Sequence, residues 1–509
     1  MPDTKLGFLD GLKLDLTEMW DPVFCNFFKY YLTNTEICAA FLLTAVSKKA
    51  LVVRGVPTEN YKEDFCMLEC ISTVKQKLDA AITQLCEVSW MFAKQPEKDF
   101  TRERKLPFRK VISLLLSMEG GTLTTELLKY FGCSADIASA SALVQQRNKI
   151  NSAAFPSLFD LFIQKTDSPR YYKGLRLLAA DGSEIQIPTN PSDLDSYYAG
   201  SNGQAPYNLL HLSAIYDLLQ HTYTDAYLLG KKKANERSVL CSMVDRSKLQ
   251  NVLLIADRGY ENYNLMAHIQ EKGWSFLIRI QDVVNSRGIA AGLDLPRADE
   301  FDLAIDLSLT TKQTNDVKLL AQNKNLCKIL KTCRDFDFLP LQNRKSDPAI
   351  FYRLPFRIVR FKITDDVYET VVTNLDVHKF PPDELKKLYN MRWGIETSFR
   401  ELKYTIGLLH FHAKKVEHIY QEVFARLIMY NFSALITSHV IIQKADCKYA
   451  YKVNFSVAVH VCRQFFLDNV SPPDVEALIR RHVSPIRPGR SRPRKMTVKH
   501  AVSFVYRVA

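Results

Sequence analysis

What this chain lacks narrows it first. No apolar run reaches the roughly 18 residues that a membrane-spanning helix needs. The longest candidate, around Leu427 to Ile442, is broken by Asn431, Ser433, Thr437, Ser438 and His439. The opening stretch MPDTKLGFLDGLKLD has no basic segment leading into an apolar one, so no signal peptide is expected. The 11 cysteines are an odd number, scattered, with no CxxC pair and no metal-finger spacing. Cys66 and Cys70, four apart on a helical pattern, fit two buried thiols better than a ligand pair. No segment repeats. These absences point to a reduced, cytoplasmic protein with no membrane partner.

What is present is size and positive charge. At 509 residues the chain exceeds what one small core supports, so several domains are expected. Lys and Arg number 68 against 55 Asp and Glu, for a net charge of +13. That balance favours a polyanionic partner, without choosing between nucleic acid, membrane surface and ribosome.

The pattern changes along the chain. Residues 1–165 read as helical, with apolar residues three and four apart through EICAAFLLTAV and LPFRKVISLLLSM. The second run follows TRERK and meets Gly120 and Gly121 before ELLKYFG. Helix, glycine turn and helix fit a DNA-binding unit, with a plain helical hairpin as the alternative. Residues 166–282 read as three strands (GLRLLAADGSEIQI, LLHLSAIYDLL, TYTDAYLLG), then helix, strand, helix and strand: an α/β core. Residues 283–379 turn β-rich, with TTKQTNDVK and NRKSDP as loops. Helices resume over 380–442, where tandem prolines and Asp383 give a start signal. Residues 443–509 form a further helical region with a basic tail, SPIRPGRSRPRK, whose Arg490 and Arg492 suit phosphate contact if DNA is bound.

The densest motif is YNMRWGIETSFRELK. Tyr389, Arg392, Glu396 and Lys403 stand three, four and seven residues apart. On one helix that spacing confines them to an arc of about 60°. A carboxylate beside two cations and a phenol suits a surface holding a metal ion and a phosphodiester. An amphipathic helix in which Arg392 simply pairs with Glu396 has the same spacing. Trp393 invites base stacking but sits off that stripe, where a core position is expected.

Two more carboxylates follow apolar strands: Asp181 after LRLLAA and Asp257 after NVLLIA, with Gly182 and Gly259 close behind. Strand ends are where α/β folds place their sites, although aspartate also initiates turns. With Glu396, they make three carboxylates able to hold two divalent cations about 4 Å apart for in-line attack on a phosphodiester. Magnesium is the expected ion, with manganese able to substitute, because few carboxylates and several waters complete its shell. No histidine and cysteine group competes. His410 and His412 suit packing or DNA contact.

The combination of AADGSEIQIP, ADRGYENYNL and Y-x2-R-x3-E-x6-K resembles the DDE transposases of bacterial insertion sequences, within them the insertion-sequence-four branch. The resemblance spans roughly residues 95–440. It implies a multidomain α/β protein with a ribonuclease-H-like catalytic core and a β-rich insertion before the Glu. Helical regions would flank that core, the amino-terminal one binding DNA ends. It implies Asp181, Asp257 and Glu396 as the catalytic, metal-binding triad, and Tyr389, Arg392 and Lys403 as contacts to DNA near the element's end. Arg258 would help position the site, with Tyr260 beside it. Some relatives insert an aromatic from the β-rich segment, for which Tyr368 and Phe356 are candidates. The implied activity is cut-and-paste transposition: binding of terminal inverted repeats, Mg²⁺-dependent cleavage, and transfer of 3′-hydroxyl ends to target DNA by a dimer. A metal-dependent nuclease without strand transfer, or a non-catalytic DNA-binding descendant, would keep much of the same pattern.

Overall fold

The computed structural model describes residues 63–102, 104–200, 205–283, 288–330, 336–340, 347–364, 367–440, 450–486 and 505–506. Arg490, Arg492 and the early helical run EICAAFLLTAV lie outside them. All the described residues belong to one compact unit.

It begins with helices: α1 (Glu63–Glu87), the single turn α2 (Ser89–Phe92), α3 (Phe108–Ser117), α4 (Leu123–Tyr130), α5 (Ala140–Arg147) and α6 (Ala154–Thr166). The turn between α3 and α4 is fastened from inside. Buried Glu126 accepts from Glu119 N at 3.1 Å and Gly121 N at 2.6 Å, while Thr122 caps α4 by accepting from Thr125 N at 3.2 Å.

The sheet follows: β1 (Arg176–Ile187), β2 (Tyr197–Tyr198), β3 (Tyr207–Asp217) and β4 (Thr222–Gly230), then α7 (Glu236–Arg246), β5 (Val252–Ala256), α8 (Tyr263–Glu271) and β6 (Ser275–Ile280). The residues read as a β-rich insertion supply β7 (Phe301–Thr310), β8 (Cys327–Ile329), β9 (Tyr352–Thr364) and β10 (Val367–Thr373). A short helix, α9 (Asn315–Leu320), begins inside TTKQTNDVK, which the sequence presents as a loop. The chain then runs α10 (Pro382–Met391), α11 (Trp393–Tyr404), β11 (His410–Phe411), α12 (Val416–Ser438), β12 (Tyr451–Val453), α13 (Phe455–Phe466), α14 (Pro472–Arg481), β13 (Val483–Pro485) and β14 (Val505–Tyr506).

Ten of these strands make one mixed sheet, ordered β2-β3-β1-β5-β6-β10-β9-β7-β8, with β4 also on β3. Its centre, β1-β5-β6, is parallel. Antiparallel pairing of β10 with β6, Thr370 opposite Ile280 through Thr373 opposite Leu277, builds the insertion into the same sheet.

Both faces of the centre are covered, which is why LRLLAA and VLLIA are apolar throughout rather than alternating. Leu177, Ala179, Leu253 and Ile255 join a core with Leu115, Phe159, Leu388, Ile395 and Leu427 from α3, α6, α10, α11 and α12. Leu178, Ala180, Leu254 and Ala256 face α7 and α8, against Val244 and Leu265. Each fully buried leucine contributes about 1.5–3 kcal/mol of transfer free energy.

The polar residues that interrupt Leu427 to Ile442 have work inside the fold. Asn431, 2% exposed, accepts from Tyr223 N and donates to Tyr223 O, both at 2.8 Å, and so completes the hydrogen bonding of β4. Among the described residues no helix is long and apolar enough to cross a membrane.

Candidate active site

Asp181 does not end its strand. β1 continues six residues further because β3 stays paired with it, Asp181 opposite Ala214 and onward to Ile187 opposite Asn208. What ends near Asp181 is the parallel pairing with β5, at Ala180 opposite Ala256. Asp257 is the next residue after β5, so the two aspartates sit beside each other on neighbouring strands. Side chains alternate along a strand, so both follow the face of Leu177, Ala179, Leu253 and Ile255. That is the face on which α11 packs.

Each aspartate also does local work. Asp257 Oδ1 accepts from Gly259 N at 2.8 Å and caps the single turn Arg258–Tyr260, as the turn-forming reading expects. Asp181 Oδ1 accepts from Gly182 N at 2.8 Å. Gly182 stands in mid-strand rather than in a turn. A Cβ there would come within 2.5 Å of His211 Nε2.

Tyr389 to Lys403 is two helices rather than one stripe, with Arg392 at the junction between α10 and α11. Two features seat α11 on the sheet. Gly394 lets it approach the residue after β3 so closely that a Cβ would lie 2.9 Å from Leu218 Cδ2. One turn on, Ser398 Oγ donates to Ile395 O and receives the Tyr223 hydroxyl at 2.8 Å. Ile395, Ser398, Phe399 and Leu402 face inward, leaving Glu396 on the flank toward the aspartates.

Arg392 Nη2 donates to Glu396 Oε1 at 2.8 Å, the ordinary i,i+4 pair that the spacing allowed. Its guanidinium lies 5.6 Å from the ring centre of Tyr389 and 4.9 Å from that of Trp393. Arg392 is 4% exposed and Tyr389 2%, whereas Trp393 is 47% exposed, contrary to the core position its sequence suggests. The junction turns Trp393 outward beside Arg392. Lys403 Nζ reaches across to donate to Glu184 O at 2.8 Å, three residues past Asp181 on β1.

Electrostatics ties the group together. Burial, with Asp257 and Glu396 nearby, pushes the Asp181 carboxyl up to about 7 against the pull of Gly182 N–H and Arg392. Tyr260, 2% exposed, is pushed well above the usual phenol range by burial and by Asp181, Glu236 and Asp257. Among the described residues no three His, Cys, Asp or Glu side chains are grouped closely enough to hold a metal ion, and Glu396 is engaged with Arg392. The donor chemistry nevertheless fits a hard cation: Asp181, Asp257 and Glu396 offer carboxylate oxygens, and burial first, then the other two carboxylates, raises the Asp181 carboxyl.

Glu236, His211 and Lys231 escaped the sequence reading. Lys231 Nζ lies 3.2 Å from both Glu184 and Glu236, and 3.3 Å from His211 Nδ1. Arg237 Nε donates to Gly259 O at 2.8 Å, tying α7 to the turn after Asp257. The only local signal was Asn235 as the cap of α7. Arg258 is exposed on that turn. Of the insertion aromatics, Phe356 is 3% exposed in the core, and Tyr368 is half-buried with Arg360 4.2 Å from its ring centre. His412 packs rather than facing outward, held by Glu422 and Gly121 O.

Residues 172–432, about half of the chain, match the family described as Transposase DDE domain, and the chain belongs to that family. It is similar to the transposase InsG for insertion sequence element IS4 of Escherichia coli (strain K12), 23% identical over 337 residues. That match covers 65% of this chain and 65% of the relative, just under two thirds of its length. Aligned by structure, 85% of the chain corresponds to 87% of a piggyBac transposase solved in a synaptic complex with hairpin DNA, at 9% identity and a TM-score of 0.39. The family resemblance carried by the Asp181, Asp257 and Glu396 motifs is thereby borne out.

Proposed function

We propose that this chain is a cut-and-paste DNA transposase built on a ribonuclease-H-like core. It binds the terminal inverted repeats of its element, cleaves them by hydrolysis, and joins the freed 3′-hydroxyl ends to target DNA as a dimer on that DNA in the cytoplasm. One observation supports the reading: Asp181 and Asp257 stand beside each other just past the end of the parallel pairing of β1 with β5, on the face where α11 carries Glu396.

Those three carboxylates would hold Mg²⁺, or Mn²⁺ in its place, and bound there the ions supply positive charge to the attacking and leaving oxygens. The rest falls to the chain. Glu396 leaves Arg392 to face the aspartates, and Arg392, whose Nε is buried without a partner, turns its fork to a phosphate. Lys403 adds a point charge on the same edge, and Tyr389 a phenol close to Arg392. Arg258 reaches the backbone from its exposed turn.

The test uses duplexes carrying the inverted repeats that flank the coding region. Glu396→Gln should leave end binding largely intact and abolish Mg²⁺-dependent cleavage. Cleavage by that variant at the normal rate would sink the role given to Glu396. Nicked ends that are never joined to a target duplex would instead mark a nuclease.

A further inference from the structure

The helical region holds a pocket that the carboxylate site does not use. After α2 the chain folds into a tight turn, in which Lys98 N and Asp99 N donate to Gln95 O at 2.9 and 2.8 Å. Asp99 Oδ2 closes the turn by accepting from Gln95 N at 3.0 Å. The next residue, Phe100, has φ +59°, a left-handed conformation that bulky side chains seldom adopt. Its ring is held edge-on to Phe108, centroids 5.3 Å apart, with the Lys149 ammonium 6.0 Å from its centre. Such a backbone persists only where its surroundings enforce it.

The strained turn sets Lys98 and Arg102 around a pocket of about 290 Å³, with Arg104 and Lys149 also in its wall. Lys149 is loosely balanced by Asp99 at 3.7 Å. Lys98, Arg102 and Arg104 are exposed and make no ion pair among the described residues. Among the described residues, the one carboxylate in the wall is Glu97. Leu106, also in the wall, is followed by the start of α3, whose first amides have no side-chain cap. Uncapped amides and the positive end of the helix add to the same field. Cations brought together without partners repel one another, and an anion converts that repulsion into binding.

We propose that this pocket takes a backbone phosphate of duplex DNA, outside the carboxylate site. The partner rests on the DNA-cleaving function proposed above; the anion chemistry rests on the pocket alone. Two arginines in its wall carry planar forks suited to phosphate oxygens, and both are exposed to an incoming backbone.

The experiment measures binding of the full-length chain to a fluorescent duplex of arbitrary sequence across a range of salt. Wild type is compared with Lys98→Ala/Arg102→Ala/Arg104→Ala and with a control triple, Arg297→Ala/Lys318→Ala/Arg481→Ala, that removes equal charge elsewhere. Thermal unfolding checks that each variant is folded. The pocket triple should bind at least ten-fold more weakly at low salt. Its plot of log K against log salt should be shallower by roughly 2 to 3, with the control close to wild type. An unchanged slope, an equal loss in the control, or no duplex binding by wild type overturns the proposal. So does titration with inorganic phosphate alone, if it saturates the pocket of wild type while the pocket triple keeps full duplex affinity. Because this assay reads binding and the Glu396→Gln assay reads cleavage, either can fail without the other.

Discussion

Arg147 on α5 and Glu422 on α12 form an ion pair with 1% and 2% side-chain exposure, joining the helical region to the helix behind the site. Arg147 spends its whole fork there: Nη1 to Glu422 Oε1 at 2.8 Å, Nε to Gln421 Oε1 at 3.1 Å and Nη2 to His418 O at 2.7 Å. Glu422 Oε2 accepts from His412 N at 3.0 Å. Removing one partner strands the other charge out of water, so Arg147→Met or Glu422→Leu should each cost about 3–5 kcal/mol. The double variant leaves no buried charge and should lose much less than the sum, a coupling of about 2–3 kcal/mol. Urea unfolding of the four proteins measures all three quantities. Burial alone would raise the Glu422 carboxyl, but Arg147 and His412 outweigh it and hold it at about 2, below its usual 4.5. Its stabilisation is therefore complete above pH 4.5 and is lost as pH falls toward 2, so the gap between wild type and Arg147→Met should close over that interval. Single variants that lose under about 1 kcal/mol, or a double variant that loses the full sum, would refute the reasoning.

Two further substitutions probe the scaffold of the site. Gly182→Ala drives a methyl to 2.5 Å from His211 Nε2, and Lys231 and Glu236 hold that ring in place. A loss of about 1–3 kcal/mol in urea unfolding is expected, with cleavage reduced because Asp181 is the preceding residue; unchanged stability and rate would contradict this account. Tyr223→Phe removes the hydroxyl that anchors Ser398 on α11, so stability should fall by about 0.5–1.5 kcal/mol while the fold, followed by circular dichroism, is kept.

Much of the core was legible because its residues obey strong local rules. Apolar β1 and β5 and the proline start of α10 each announce themselves in a few residues. Asp181 and Asp257 were found through the apolar runs before them, yet which strand Asp181 continues with is decided by β3, some 30 residues away in sequence. A break at Arg392 cannot be heard in a periodicity that stays helical on both sides, so Trp393 was assigned to the wrong surface. The cluster of Glu236, His211 and Lys231 is assembled by strand register, and register leaves no trace in any one segment. Phe100 is hidden too: its left-handed backbone leaves no mark in its own sequence, and its ring contacts come from Phe108 and Lys149 further along the chain.

The ladder between β10 and β6 has a mechanical meaning. A module hung on a flexible linker could drift relative to the carboxylates by many ångströms. One whose strands are stitched into the same sheet keeps its distance from Asp257 to within the give of a hydrogen bond. Whatever the outer strands grip is thereby measured off against the aspartates as if on a ruler. The connection between β8 and β9 is held to the same frame, since Phe336 and Leu339 are buried in the core and Asp337 pairs with His268 on α8.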